Sequence, residues 1–145
     1  MRALGIDFGQ KRVGLALSDP TGRLVTPFKT IRRTDDASLI TELTRVALEE
    51  GVETLVIGEP LALSGARGAA ARRVRAFANR LKRATGLPCI SVDEALTTHE
   101  AEARLRDAGI DPRRHPGRAD AVAAQIILEE ALTRFRSAES ADPTD

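Results

Sequence analysis

The pattern of apolar and polar positions changes period about a quarter of the way along the chain. Up to residue 31 it reads as short strands joined by turns. Residues 3–8 form an apolar run that ends in Asp7-Phe8-Gly9, a turn signal. Residues 12–18 are β-prone and stop at Asp19-Pro20-Thr21-Gly22, a strong turn. Residues 24–31 read as a third strand, which Pro27 restricts to an edge or a bulge because proline cannot donate to a ladder. Connections this short imply antiparallel neighbours.

Helical spacing then takes over. Leu39, Ile40, Leu43, Val46 and Ala47 recur on one face of a helix expected over 38–49 and closed by Gly51. Thr54-Leu55-Val56-Ile57 is continuously apolar, as a parallel strand covered on both faces must be. A second helix is expected over 68–84, with Ala70, Val74, Phe77, Ala78 and Leu81 inward. A fifth strand follows at 88–92, a third helix begins near Thr97 and ends at Ala108-Gly109, and a last helix covers 119–135. The order βββαβαβα plus a C-terminal helix describes an α/β fold, a mixed five-stranded sheet whose first three strands are antiparallel, flanked by helices. No repeat or linker divides it. One domain over 1–136 is expected, with 137–145 as a flexible acidic tail.

Composition narrows the class. With 42% hydrophobic and 30% charged residues the chain is globular rather than disordered, and no apolar run approaches the roughly 18 residues of a membrane helix. The chain enters structure at Met1–Asp7, so no signal peptide is expected. The single cysteine, Cys89, excludes an internal disulfide and a cysteine-built zinc site. These features point to a cytoplasmic protein without membrane partners. The net charge of +1 does not announce a nucleic-acid binder, but its distribution is uneven. Arg67, Arg72, Arg73, Arg75, Arg80, Lys82 and Arg83 occur with no acid among them, and acids gather at 35–59 and in the tail. Two readings fit this: a phosphate-binding side, or a solvated arginine-rich helix face.

Three acids stand out. Asp7 ends the first apolar run, where a charge is costly unless paired or bound to a cation; it also suits the start of the following turn. Glu94 follows the fifth strand, at the carboxyl end where ligands of open α/β sheets bind. The alternative is an ordinary strand-to-helix loop, with Thr97 and Glu100 capping the next helix. Asp120 shares a helical stripe with Ala123, Ala124, Ile127, Leu128 and Ala131, so it faces inward near a helix start. A favourable helix dipole explains an acid near the start but not the inward face. Three converging carboxylates suit hard divalent ions and phosphate chemistry.

These residues also carry a resemblance. The segment Gly5-Ile-Asp-Phe-Gly-Gln-Lys-Arg-Val-Gly-Leu-Ala16 is similar to the opening motif of the YqgF/RuvX family. The likeness continues through Val56-Ile-Gly-Glu-Pro-Leu61, Val74–Leu81, Val92-Asp-Glu-Ala-Leu-Thr-Thr98 and Arg118-Ala-Asp-Ala-Val-Ala-Ala124, in family order and over nearly the whole chain. It implies a ribonuclease H-like fold related to RuvC. It also implies Asp7, Glu94 and Asp120 as catalytic and metal-holding acids, with Mg²⁺ or Mn²⁺ as cofactor. The substrate it implies is precursor 16S rRNA or a four-way DNA junction, the latter calling for a homodimer. By the same resemblance cleavage leaves 5′-phosphate and 3′-hydroxyl ends. Glu59 is a reserve ligand, and Lys11, Arg12, Arg72, Arg73 and Arg118 are expected to bind the nucleic acid. Ala95 stands where the family usually has arginine, and Arg118 where lysine is common. A non-catalytic nucleic-acid-binding module of the same fold is the alternative function. An actin-like ATPase, which shares the Asp-x-Gly opening, would need a longer chain for its two-domain cleft.

Overall fold

A computed structural model describes residues 1–9, 11–59, 66–93 and 97–140. Its strands are β1 (Ala3–Phe8), β2 (Arg12–Ser18), β3 (Val25–Arg32), β4 (Thr54–Glu59) and β5 (Cys89–Asp93). Its helices are α1 (Asp36–Glu49), α2 (Ala66–Thr85), α3 (Thr97–Asp107) and α4 (Pro116–Ser140). The five strands form one sheet in the order β3-β2-β1-β4-β5. The first three are antiparallel neighbours, while β1/β4 and β4/β5 run parallel, as the two tight turns and the later helical crossovers require.

Strand periodicity sorts the side chains onto two faces. Leu4, Ile6, Val13, Leu15, Leu55 and Ile57 pack with Leu39 and Leu43 of α1 and Val74, Phe77 and Leu81 of α2. Ala3, Ala16, Val56 and Val92 pack on the other face against Ala124, Ile127, Leu128 and Ala131 of α4. Helix α3 docks on α4, through Ala101 and Leu105 against Val122, Ala123 and Ile126.

Local chemistry sets the boundaries. Asp35 caps α1 by accepting from the Ser38 backbone N–H at 2.8 Å, so the helix starts two residues ahead of the expected boundary at 38. Gly51, at φ 65°, ends it, with Val52 N–H donating to the Ala47 carbonyl as in a Schellman motif. In α2 the buried stripe is Ala71, Val74, Phe77, Ala78 and Leu81; Ala70 is half-buried, one position off the face expected for it. Helix α4 begins at Pro116, three residues earlier than periodicity suggests, because proline at the first helical position needs no N–H partner. It also runs on through Ser140, since no glycine or proline interrupts 136–140; residues 141–145 lie outside the described part.

The expectation for β3 holds in both respects. It is an edge strand, and its register shifts beside Pro27: Leu15 pairs Lys29 and Ala16 pairs Pro27, leaving Phe28 as the extra residue of a bulge.

Candidate active site

Asp7 is the penultimate residue of β1, the central strand, and only 7% of it is exposed. Alternation from Ala3 and Gly5 turns it toward α4. Its ladder partner on β2 is Gly14, and α4 comes down on that glycine. A Cβ placed on Gly14 would lie 2.0 Å from the Asp120 carbonyl oxygen and 2.9 Å from the Ala121 nitrogen. One turn further along α4, a Cβ on Gly5 would meet the Ala124 carbonyl oxygen and Leu128 Cβ, each at 2.8 Å. Two bare strand positions therefore let the helix backbone rest on the sheet, and they bring Asp7 and Asp120 to one patch of one face.

Asp120 lies at the border of that patch, its side chain 25% exposed. Its Oδ2 accepts from Arg12 Nε at 2.6 Å, a charge-assisted bond. Arg12 also lines an open cleft of about 690 Å³ together with Lys11, Thr30, Arg32, Arg33 and Gly117. Among the described residues, four cations and no acid line this space. Arg12 and Arg32 are direct cross-strand partners, an arrangement of like charges that costs stability unless an anion lies between them.

The cleft has firm walls. The Thr30 hydroxyl donates to the Gly117 carbonyl, tying the first turn of α4 to β3. Gln125 Nε2 donates to the Val25 carbonyl at 3.0 Å further along the same helix. Arg33 donates to the Gly9 carbonyl at 3.0 Å and stacks its guanidinium 4.1 Å from the centre of the Phe8 ring, a cation–π contact. Gly9 N–H in turn donates to the Arg12 carbonyl at 3.0 Å. The turn that follows Asp7 is thus held from both sides.

Comparison with known proteins decides the family. The family model described as "RuvX: Holliday junction resolvase" matches residues 1–134.

The chain belongs to the RuvX family.

Curated RuvX relatives bear this out. One from Anaeromyxobacter sp. (strain Fw109-5), named "Putative pre-16S rRNA nuclease", is 47% identical over 130 residues, covering 89% of this chain and 94% of its own length. Another of the same name, from Maridesulfovibrio salexigens, is 43% identical over 134 residues, covering 92% and 99%. Among solved structures, T. thermophilus RuvC in complex with a Holliday junction substrate superposes with a TM-score of 0.61 at 14% identity, over 94% of this chain and 96% of that one. The Fowlpox virus resolvase with its junction DNA gives 0.58 at 8% identity, over 93% and 99%. These likenesses establish a RuvC-like, ribonuclease H-type fold. As a RuvX member the chain is a nuclease, an enzyme that hydrolyses phosphodiesters.

The remaining expected site residues distribute unevenly over this RuvX fold. Glu59 ends β4 on the face opposite Asp7, where Arg75 of α2 holds it through an ion pair. It is thereby separated from the Asp7–Asp120 patch by the sheet itself. Asp93, the residue before Glu94, pairs with Glu59 in the β4–β5 ladder. Glu94 lies outside the described residues, as does Ala95. Among the described residues no group of three metal-binding side chains forms; Asp7 and Asp120 are among them and Glu94 is not. Lys11 and Arg12 line the cleft; Arg118 is exposed in the first turn of α4, next to its lining residue Gly117; Arg72 and Arg73 are exposed on α2, in the layer on the other face.

Sequence reasoning missed Arg32, Arg33, Thr30 and Gly14. A hairpin register carried from the Asp19–Gly22 turn would set Ile31 opposite Arg12; only the bulge at Phe28 brings Arg32 there, so the pairing of the arginines was not in the strand pattern. Gly14 needed the position of α4, which no strand pattern contains.

Proposed function

We propose that this RuvX chain cleaves structured nucleic acid with one or two divalent cations, Mg²⁺ or Mn²⁺, held by Asp7, Asp120 and Glu94. The observation that carries the reading is the buried Asp7 beside Asp120 on one patch, with a four-cation cleft at its border. The donor set fits such ions. Both described acids offer hard oxygen ligands, and Asp120 already takes a cationic partner in Arg12. When bound, a hard divalent ion makes water a nucleophile near neutral pH and offsets charge on the phosphate.

The chain's own residues do the rest. Asp7, rooted in the central strand, holds its carboxylate with little freedom. Asp120 faces it from a helix resting on Gly14. Lys11, Arg12, Arg32 and Arg33 take the backbone phosphates that flank the scissile bond, and Arg118 extends that track along α4. Arg72 and Arg73 serve segments of substrate that reach around to α2. The products carry 5′-phosphate and 3′-hydroxyl ends.

The substrate we favour is the 5′ end of precursor 16S rRNA, supported by the names of the relatives at 47% and 43% identity. A four-way DNA junction is the second reading, favoured by the family description and by the fold shared with RuvC. The junction reading requires a symmetric homodimer, so that two cuts fall on opposed strands. In either case residues 1–136 are the catalytic unit and the cytoplasm its place of action. No helix among the described residues is long and apolar enough to cross a membrane.

The test is cleavage of a precursor 16S RNA fragment, a four-way junction and linear duplex DNA with Mg²⁺ or Mn²⁺, product ends mapped. The expected result is metal-dependent cutting of the RNA fragment, lost in a folded Asp7→Asn variant. Removing a ligand should cost more than the ~10–100-fold typical of residues that only orient ligands. Cleavage that persists in folded Asp7→Asn removes the proposed site. Binding without cleavage by the wild-type chain, whatever the metal, makes the protein a non-catalytic module instead.

A further inference from the structure

Arg12 has two sets of neighbours with opposite demands. Its Nε donates to Asp120 Oδ2 at 2.6 Å, while its side chain, 41% exposed, also lines the cationic cleft. Its cross-strand partner is Arg32, and Lys11 precedes it in the chain. Like charges push the guanidinium away from the cleft, and Asp120 draws it toward the carboxylate patch. The oxygen it occupies belongs to an acid that the proposed metal site needs.

A phosphate entering the cleft changes both forces. It cancels the repulsion between Arg12 and Arg32, and it offers the guanidinium fork a bidentate anionic partner. We propose that Arg12 is a positioning residue that exchanges partners, bonding Asp120 in the substrate-free protein and a backbone phosphate in the complex, so that filling the cleft frees Asp120 Oδ2 for a divalent cation. This rests on the metal role proposed for Asp120. It implies that nucleic acid and metal raise each other's affinity by the same factor, since coupling between two binding sites is reciprocal. The Arg12–Asp120 pair is partly exposed, so the factor is modest, about three- to tenfold.

Calorimetric titration of Mn²⁺ into the substrate-free full chain tests the exchange, with folding of each variant checked by circular dichroism. Arg12→Gln should bind Mn²⁺ about three- to tenfold more tightly than wild type. Arg32→Gln removes the same unit charge from the same cleft without touching Asp120, and should stay within about twofold. Equal tightening in both variants means general electrostatics and overturns the exchange, as does no change in Arg12→Gln. Asp120→Asn should weaken Mn²⁺ binding; if it does not, the metal reading fails instead, a separately visible result. Arg12→Met, which keeps the apolar stem, replaces the Gln variant if that one does not fold. Anisotropy of a labelled single-stranded oligonucleotide provides a second arm. Ca²⁺ should tighten its binding to the wild type and lose that effect in the Arg12 variant. A wild type indifferent to Ca²⁺ overturns the proposal without any mutant.

Discussion

Gly14 of β2 lies under the backbone of Asp120, so close that a Cβ there would sit 2.0 Å from the carbonyl oxygen of that residue. The same glycine is the ladder partner of Asp7. A single missing side chain thus sets the separation between a strand acid and a helix acid.

Gly14→Ala should therefore lift α4 from the sheet. The neighbour is backbone rather than a flexible side chain, so the cost should reach or exceed the upper part of the ~1–3 kcal/mol usual for overpacking. Chemical denaturation measures it. In whatever fraction remains folded, cleavage should fall by more than the stability loss explains, because Asp120 is displaced relative to Asp7. Full activity in a destabilised variant would argue against that alignment.

Glu59→Gln should leave cleavage within about twofold of wild type. The largely buried carboxylate faces α2 and its work is the ion pair with Arg75; the arginine is half-exposed and Gln can still accept its hydrogen bond, so the stability loss should be about 1 kcal/mol. Parallel assays of cleavage and urea stability separate the two effects. A loss of activity on the scale expected for Asp7→Asn would bring Glu59 back as a ligand.

Arg32→Gln should weaken oligonucleotide binding evenly across sequences. If Arg32 neutralises one phosphate, its removal should reduce the slope of log affinity against log salt by about 0.7–0.9. Anisotropy titrations at several ionic strengths read that slope. An unchanged slope would mean that Arg32 touches no phosphate.

Burial pushes the Cys89 thiol up to about 11 from 9.0, partly offset by the charge of Lys82. The native thiol should therefore react with a disulfide reagent at pH 8 far more slowly than the denatured chain. The folded value is raised above the unfolded one. The contribution of this group to stability is thus fully present below pH 9 and lost as pH rises from about 9 toward 11. Cys89→Ala should flatten that part of the stability–pH curve.

Much of this fold is legible in the sequence. The antiparallel pairing of the first three strands follows from connection lengths, and the edge position of β3 from Pro27, because each depends on local chemistry. The α1 stripe matches its periodicity residue for residue. Asp120 can be placed inward from helical spacing alone. What stays hidden is set by contacts distant in sequence. Glu59 and Asp7 both lie at the carboxyl ends of apolar strands, yet they face opposite layers, and only the strand-by-strand phase separates them. The arginines on α2 draw attention as the longest basic run, whereas the cleft beside Asp120 is built from two short stretches, Lys11-Arg12 and Arg32-Arg33, joined by a ladder.

The placement of β1 has one more consequence. It lies in the middle of the sheet, zipped to β2 on one side and β4 on the other, whereas β3 has only one neighbour. To open β1, two ladders must separate at once; to open β3, one must. Backbone amides around Asp7 should consequently exchange with solvent only through global unfolding, while those of β3 escape through cheaper local openings. The acid is anchored in the slowest part of the molecule, while Arg32, one of the cations that greet the substrate, rides on an edge strand.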